Sequence, residues 1–304
     1  MRLGFLTAPF PETPLMDVAD WAAGNGFESL EIACWPAAAG PSRRYAGTSH
    51  IDVANLSDGQ AREVVDEIAR KGLAISGLGY YPNPLHPDLA QRDAMIDHLR
   101  HVITAAGKMG VPLVNTFMGG DAAKTQDENW DVAVTVWPDI VAFARDNGVR
   151  ITIENCPMIF SRSEWPAGHN IAWSPYIWRR IIETWGDTIG LNYDPSHLVW
   201  LMIDQERFIR EFGPHILHFQ AKDVRIDRDG LYERGTLSGG IGWQIPRIPG
   251  LGDVDWATVF SALYETGYDG DVIVEHEDRV FEGSDELVKR GFLLARNVLR
   301  PWVV

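Results

Sequence analysis

Short apolar runs alternate with longer amphipathic segments along almost the whole chain. Runs such as Val272-Ile-Val274 are continuously apolar, which is typical of parallel strands that are buried on both faces. The intervening segments have helical spacing, as at Val64, Val65 and Ile68. Eight strands alternating with helices predict an α/β fold, a (β/α)₈ TIM barrel, as a single domain over residues 1–304. The strands are predicted at about residues 3–8, 27–33, 73–80, 112–118, 150–154, 189–193, 216–221 and 272–275.

One connection is much longer than a plain strand-to-helix turn. Residues 223–253 are rich in glycine and contain Pro246, Pro249 and Trp243. Loops of this length inside a compact domain are usually functional. We therefore expect this long βα loop to be a lid or a pocket wall.

The charge balance excludes some partners. The chain has 27 Lys and Arg against 42 Asp and Glu, a formal net charge of −15, whereas a nucleic-acid surface needs clustered basic residues. No apolar run approaches the roughly 20 residues that span a bilayer, and the N-terminus has no long apolar region of a signal peptide. We expect a cytoplasmic protein with a small neutral polyol as its partner, rather than nucleic acid or membrane.

Three acids stand where predicted strands end. Glu154, Asp194 and Glu275 close the fifth, sixth and eighth strands, and Pro195 ends the ladder directly after Asp194. Any one of them alone is readily explained as a helix cap or a surface ion pair. In a barrel, however, the strand ends share one mouth, and three carboxylates gathered there need a cation. Oxygen donors favour Mn²⁺ or Mg²⁺, with Zn²⁺ or Co²⁺ as alternatives where an imidazole joins them.

At these positions the chain resembles the xylose-isomerase-like TIM barrels, which include sugar epimerases, inosose dehydratases and apurinic endonucleases. The resemblance covers nearly the whole chain. It is carried by Ile153-Glu-Asn155, Asp194-Pro-Ser-His197, His218-Phe-Gln-Ala-Lys-Asp223, Pro249 to Trp256 and Val274-Glu-His-Glu277. It implies one divalent ion held by Glu154, Asp194, a seventh-strand residue and Glu275, and it implies that His197 contacts substrate. Glu154 and Glu275 would then be the catalytic pair that removes and returns a proton.

The seventh strand departs from the family pattern. The pattern is usually His-x-His-x-Lys-Asp with the second histidine on the metal, and Gln220 stands at that position here. Strand side chains alternate, so His218 and Gln220 share a face, with Gln220 nearer the rim. We prefer the carbonyl oxygen of Gln220 as the fourth ligand, with His218 as the alternative. If it is not a ligand, His218 is a buried imidazole bonded to a neighbour.

The predicted reaction is that of a metal-dependent sugar isomerase or epimerase. A metal that polarises a carbonyl acidifies the adjacent C–H and stabilises the enediolate that forms. The same intermediate can expel a leaving group, so a lyase or dehydratase acting on 3-keto-glycosides or inososes is the first alternative. The others are a phosphodiesterase of the apurinic endonuclease kind, disfavoured by the missing basic groove, and a non-catalytic sugar-binding barrel.

Several further residues are candidates for the pocket wall. Trp35 ends the second predicted strand and Lys222 the seventh, while Trp243 and Arg247 lie in the long loop. Aromatic faces commonly stack on sugar rings, although each tryptophan can equally belong to the core. Arg43-Arg44 could receive a phosphate or form a solvated loop. The resemblance is also compatible with a homo-oligomer, since barrels of this type often pair.

Overall fold

The computed structural model describes residues 1–36, 47–161, 164 and 168–304; Arg43, Arg44 and Trp165 lie outside the described residues. Eight parallel strands close into a barrel, so the predicted TIM barrel is confirmed. The barrel strands are β1 Arg2–Leu6, β2 Ser29–Ala33, β3 Ala74–Gly79, β4 Leu113–Thr116, β5 Arg150–Glu154, β6 Ile189–Tyr193, β7 Ile216–Ala221 and β10 Asp271–Val274. Strands follow one another around the barrel in this order, and β10 closes it by pairing with both β7 and β1.

Ten α-helices occur among the described residues, most of them on the outside of the barrel, while α8 lies in the segment between β8 and β9. They are α1 Leu15–Gly24, α2 Asp58–Arg70, α3 Leu89–Met109, α4 Gln126–Asp146, α5 Pro175–Trp185, α6 Pro195–Trp200, α7 Gln205–Phe212, α8 Arg228–Arg234, α9 Trp256–Glu265 and α10 Asp285–Leu299. Local sequence fixes several starts, because Ser57 with Gln60 and Thr125 with Glu128 form capping boxes. The main core lies between the strands and these helices, where large side chains such as Trp137, Trp178 and Phe292 are fully buried.

Two predictions about local structure need correction. The segment 223–253 was predicted as one long βα loop, without strands or helices of its own, yet it contains α8 and an antiparallel pair, β8 Asp223–Ile226 with β9 Gln244–Arg247. The ladder ends before Pro195, as predicted, but the helix α6 that Pro195 begins was missed, and Asp194 is its N-cap, accepting a hydrogen bond from the backbone of Ser196 at 2.8 Å. Proline is favourable at the first helical position, where no N–H donor is needed, and aspartate is a preferred cap.

The strand register shifts at two places that matter for the site. One shift lies in β2 between Leu30 and Glu31, and the other lies in β6 between Leu191 and Asn192. Such irregularities re-aim side chains, and they are common beside active sites. Here they adjoin the buried polar residues Glu31 and Asn192, both fully shielded from solvent.

None of the helices in the part of the chain that the structure describes has the length and apolar character that a bilayer crossing requires.

Candidate metal centre

A cavity of about 650 Å³ opens at the end of the barrel where the strands have their carboxyl termini. Its floor contains Glu154, His197, Lys222 and Glu275, and the β8–β9 segment forms one wall. The wall residues include Trp35, Tyr81, Phe117, Trp200, Ile245 and Arg247, with glycines 239, 240 and 242 beside them. The segment 223–253 therefore forms part of the pocket wall, as predicted from its length.

Two buried carboxylates and the partly exposed carboxylate of Glu275 meet at this floor. Oxygens of Glu154, Asp194 and Glu275 all lie within 4.8 Å of one another. The side chains of Glu154 and Asp194 are 4% and 0% exposed. Asn155 ties two of the strand ends together, because its amide nitrogen donates to the backbone oxygen of Asp194 at 2.8 Å and its amide oxygen accepts from the backbone nitrogen of Asp194 at 2.7 Å. The ends of β5 and β6 are thus fixed next to each other, which brings Glu154 and Asp194 together although 40 residues separate them in the sequence.

The donor atoms suit a divalent ion. Oε1 of Glu154 is buried and accepts no hydrogen bond from the described residues, which is costly for a carboxylate unless a cation coordinates it. Oδ2 of Asp194 is also buried, with the Lys222 ammonium 2.9 Å away. Burial raises the pKa of Glu275 well above its ordinary value, and the nearby Glu154 adds to the effect. Crowded carboxylates of this kind are the usual ligands of Mn²⁺ and Mg²⁺.

Lys222 lies inside the same cluster. Its Nζ is 2.9 Å from Oδ2 of Asp194 and 2.9 Å from Oε2 of Glu275, and it is 3.3 Å from Oε2 of Glu277 and 3.9 Å from Oε1 of Glu154. Burial lowers the pKa of Lys222, but these acids outweigh burial and raise that pKa well above its ordinary value. Burial likewise raises the pKa of Asp194, and the ammonium beside it holds that pKa below its usual range. The pair is therefore ionised.

His197 and Cys156 extend the donor set. Nε2 of His197 is 3.1 Å from Oδ2 of Asp194 and 3.5 Å from Oε1 of Glu154. The indole of Trp200 donates to Nδ1 of His197 at 3.2 Å, which puts the imidazole proton on Nε2 because an indole N–H can only donate. Potential ligand atoms of Glu154, Cys156 and His197 also lie within 4.8 Å of one another. His197 thus lines the cavity with its N–H directed at the carboxylates.

The amide of Gln220 has a defined orientation. Its Nε2 donates to Oε2 of Glu31 at 3.0 Å and to the hydroxyl of Tyr81 at 2.7 Å, while Tyr81 in turn donates to Oε1 of Glu31. Its Oε1 is buried and has no hydrogen-bond partner among the described residues. Burial raises the pKa of Glu31 to about 7, although the bonds from Tyr81 and Gln220 lower it. The carbonyl oxygen of Gln220 therefore has no hydrogen-bond partner among the described residues and could coordinate a metal ion.

His218 has both ring nitrogens engaged. Nδ1 donates to Oδ1 of Asn192 at 2.9 Å, and Nε2 accepts from the hydroxyl of Ser76 at 3.1 Å. The residue is fully buried, and burial lowers the pKa of its imidazole to about 3. His218 is therefore a neutral imidazole of the barrel interior, and metal binding would require it to give up one of these bonds.

The remaining predicted residues divide between wall and packing. Trp35 is half-buried in the cavity wall, with its ring centroid 5.8 Å from that of Tyr81. Arg247 also lines the cavity and pairs with Asp278 at 3.1 Å. Trp243 is not part of the wall: its indole is 2% exposed and donates to Oγ of Ser238 at 2.8 Å. Its ring packs on Trp200, so the structure places it in the packing beneath the loop rather than in the site.

Glu31 and Cys156 are among the residues of the site that were missed in the sequence. Glu31 had a detectable signal, because it is a charged residue inside the otherwise apolar strand Ser29–Ala33. Gly79 makes room for it, since a Cβ at that position would clash with the Glu31 carboxylate. Cys156 follows Glu154 by two residues, and in extended backbone this spacing puts both side chains on one face. The spacing alone did not predict Cys156, because β5 ends at Glu154.

A profile of the family described as xylose isomerase-like TIM barrel matches residues 19–298. The chain belongs to this family. Membership of the xylose isomerase-like TIM barrels confirms the resemblance that the strand-end motifs predicted. It does not by itself define the reaction, because one fold hosts many chemistries.

Curated relatives within this fold family differ in how much of their length is matched. Protein YfiH of Bacillus subtilis (strain 168), which is uncharacterized, is 27% identical over 311 residues, covering 91% of this chain and 93% of YfiH. An inosose dehydratase of Lacticaseibacillus casei is 25% identical over 178 residues, covering 58% of this chain and 56% of that enzyme. The chain therefore matches little more than half the length of that dehydratase.

Solved structures with the same fold include enzymes. A D-psicose 3-epimerase of Clostridium cellulolyticum H10, determined with D-tagatose, has a TM-score of 0.69 at 18% identity, covering 100% of this chain and 99% of the epimerase. The IOLI protein, determined with a bound zinc atom, has a TM-score of 0.71 at 16% identity, covering 100% and 98% of the two chains. At these identities the likeness establishes the barrel fold alone.

Proposed function

We propose that this protein is a divalent-metal-dependent sugar isomerase or epimerase. The observation that carries the proposal is the group of Glu154, Asp194 and Glu275, whose oxygens lie within 4.8 Å of one another on the floor of a cavity of about 650 Å³. Carboxylates gathered at the catalytic end of a barrel need compensating positive charge. The Lys222 ammonium supplies one charge for the three acids, which leaves the site attractive to a divalent ion.

The three acids and the carbonyl oxygen of Gln220 would form the ligand set. A shell of four oxygen donors favours Mn²⁺ or Mg²⁺ and is less suited to Zn²⁺, which prefers nitrogen and sulfur. A divalent ion bound there would polarise a substrate carbonyl and so acidify the neighbouring C–H. We prefer Gln220 to His218 because its Oε1 has no partner among the described residues, whereas both nitrogens of His218 are bonded.

Proton transfer falls to Glu154 and Glu275. Both carboxylates border the cavity, and they approach it from different strands, β5 and the end of β10. One would remove the proton next to the carbonyl and the other would return it on the opposite face of the substrate, which inverts that carbon. His197 borders the cavity, and its Nε2–H would turn to a substrate hydroxyl once a metal ion occupies the carboxylate oxygens that it now faces. The ring of Trp35 would stack on the sugar.

A second candidate is a dehydratase or lyase acting on inososes or 3-keto-glycosides. It is favoured by the sequence similarity to inosose dehydratases over about half of their length. The first step would be the same proton removal by a carboxylate. The outcomes diverge when the intermediate expels water or an aglycone instead of taking the proton back.

The test is to incubate Mn²⁺-loaded protein in D₂O with a panel of ketoses, inososes and 3-keto-glycosides. An epimerase is expected to give the epimer with deuterium at the carbon next to the carbonyl, detected by NMR and mass. Glu154→Gln and Glu275→Gln should abolish the exchange, while Glu63→Gln, on the outer surface of α2, should not. Loss of water or of an aglycone would favour the second candidate. Cleavage of abasic DNA, or full activity after metal removal, would overturn the proposal.

A further inference from the structure

The Lys222 ammonium occupies a central position among the acids of the site. It is 2.9 Å from one oxygen each of Asp194 and Glu275, and its side chain is only 4% exposed. Burying an ammonium is costly unless acids surround it. These contacts therefore hold together carboxylates that would otherwise repel one another.

The oxygens that Lys222 contacts belong to two of the carboxylates that we propose as metal ligands. Oxygen ligands lie roughly 2.0–2.6 Å from Mg²⁺, Mn²⁺ or Ca²⁺. An ion bound to the same oxygen atoms would consequently lie no more than about 5.5 Å from Nζ. Two cations that share acceptors at that distance repel strongly in a buried site. Lys222 and a divalent ion thus compete for Asp194 and Glu275.

The structure also offers Lys222 an alternative partner. Oε2 of Glu277 is 3.3 Å from Nζ, and the Glu277 side chain is 31% exposed at the rim of the cavity. Glu277 is not one of the three acids that lie within coordinating distance of one another. Four carboxylates face this single ammonium, so a divalent ion would still be attracted while Lys222 moves toward Glu277.

We propose that Lys222 is a built-in counter-ion of the metal centre, which stabilises the carboxylates before the metal binds and shifts onto Glu277 when it does. The inference rests on the proposed function for the existence of the metal centre. It adds that metal uptake is opposed by a side chain of the protein itself. It also assigns Glu277 a role as the acceptor that makes this displacement favourable.

Replacing Lys222 by methionine should therefore have two effects of opposite sign. Without metal, the Lys222→Met protein leaves its carboxylates unpaired and should melt about 5 °C or more below the parent protein. The same variant should bind Mn²⁺ about 10- to 100-fold more tightly, since removal of one charge-assisted partner typically changes affinity by that factor. A lysine with a merely structural role would lower both quantities together.

The experiment uses the full chain, stripped with a chelator, and measures melting temperature and Mn²⁺ affinity by calorimetry. Lys71→Met is the matched control, because Lys71 pairs with the exposed Asp20 far from the site, and it should change neither quantity appreciably. If Lys222→Met does not fold, the displacement is tested with Glu277→Gln alone. This single variant should bind Mn²⁺ several-fold more weakly than the parent protein.

The outcomes separate this inference from the proposed function. If the parent protein binds Mn²⁺ but Lys222→Met binds it equally or more weakly, the counter-ion role is wrong and the metal centre stands. An unchanged affinity in Glu277→Gln would likewise refute the displacement onto Glu277. If no variant and no parent protein binds a divalent ion, both the inference and the metal-dependent function fail.

Discussion

The buried carboxylate of Asp223 offers the sharpest prediction about the loop that forms one wall of the cavity. Its Oδ1 accepts from the backbone nitrogens of Val224 and Val254 at 2.8 and 3.0 Å. Its Oδ2 accepts from the backbone nitrogen of Gly250 at 2.9 Å and from the indole of Trp256 at 3.1 Å. One side chain thus ties the start of the segment to its end, and a Cβ at Gly252 would clash with it.

Asp223→Asn replaces one of these acceptor oxygens by an NH₂ group that faces two N–H donors. Two hydrogen bonds to a buried charged acceptor are lost, at roughly 1.5–3 kcal/mol each, so the free energy of unfolding should fall by about 3–6 kcal/mol. For a chain of 304 residues, this loss corresponds to a fall of roughly 5–10 °C in melting temperature.

Scanning calorimetry measures the change in melting temperature, and hydrogen exchange reports whether residues 223–254 open first. Asp255→Asn is the control in the same region, because Asp255 is an exposed N-cap and asparagine caps equally well. A fall of less than about 2 °C in Asp223→Asn, or unchanged exchange in the segment, would refute the anchoring role.

Three further substitutions test the interior of the site. Glu31→Leu removes the acceptor that orients Gln220 and should weaken Mn²⁺ binding about 10- to 100-fold by calorimetry; an unchanged affinity would contradict the orientation. Gln220→His restores the imidazole of the family pattern and should shift preference from Mn²⁺ toward Zn²⁺ in competition binding, and an unshifted preference would argue against this residue as a ligand. Histidine in the unfolded chain has a pKa near 6.5, whereas burial lowers the pKa of His218 in the folded protein to about 3. The stability that depends on neutral His218 is therefore complete above pH 6.5 and is lost as the pH falls toward 3. Between pH 7 and pH 5 the parent protein should lose about 2 kcal/mol more in urea unfolding than His218→Gln does, and equal losses would refute the buried neutral state.

The barrel and its acids could be predicted from sequence for one physical reason. Parallel strands buried on both faces are continuously apolar, so an acid that ends such a run is conspicuous, and all the runs end at the same mouth. Glu154, Asp194 and Glu275 were found in this way, and the structure brings them together.

Other parts of the site depend on contacts between residues that are distant in the chain. The strands β8 and β9 have four residues each and are joined by a glycine-rich segment, so neither strand has a run long enough to be recognised. The inward direction of Trp243 depends on its contact with Ser238, and no periodicity encodes it. The sequence pattern also does not show that the Lys222 ammonium lies among the acids. Nor does it show the hydrogen bond from Gln220 to Glu31, which joins β7 to β2 across the barrel.

The central claim is that one divalent ion is held jointly by Glu154, Asp194 and Glu275. It is tested most directly by an anomalous difference map from crystals of this protein grown with Mn²⁺. The account predicts a single strong peak at the cavity floor, about 2.0–2.4 Å from an oxygen of each of the three acids, with Lys222 turned toward Glu277. A map without a peak at this position, or with the ion bound elsewhere and the three carboxylates uncoordinated, would contradict it.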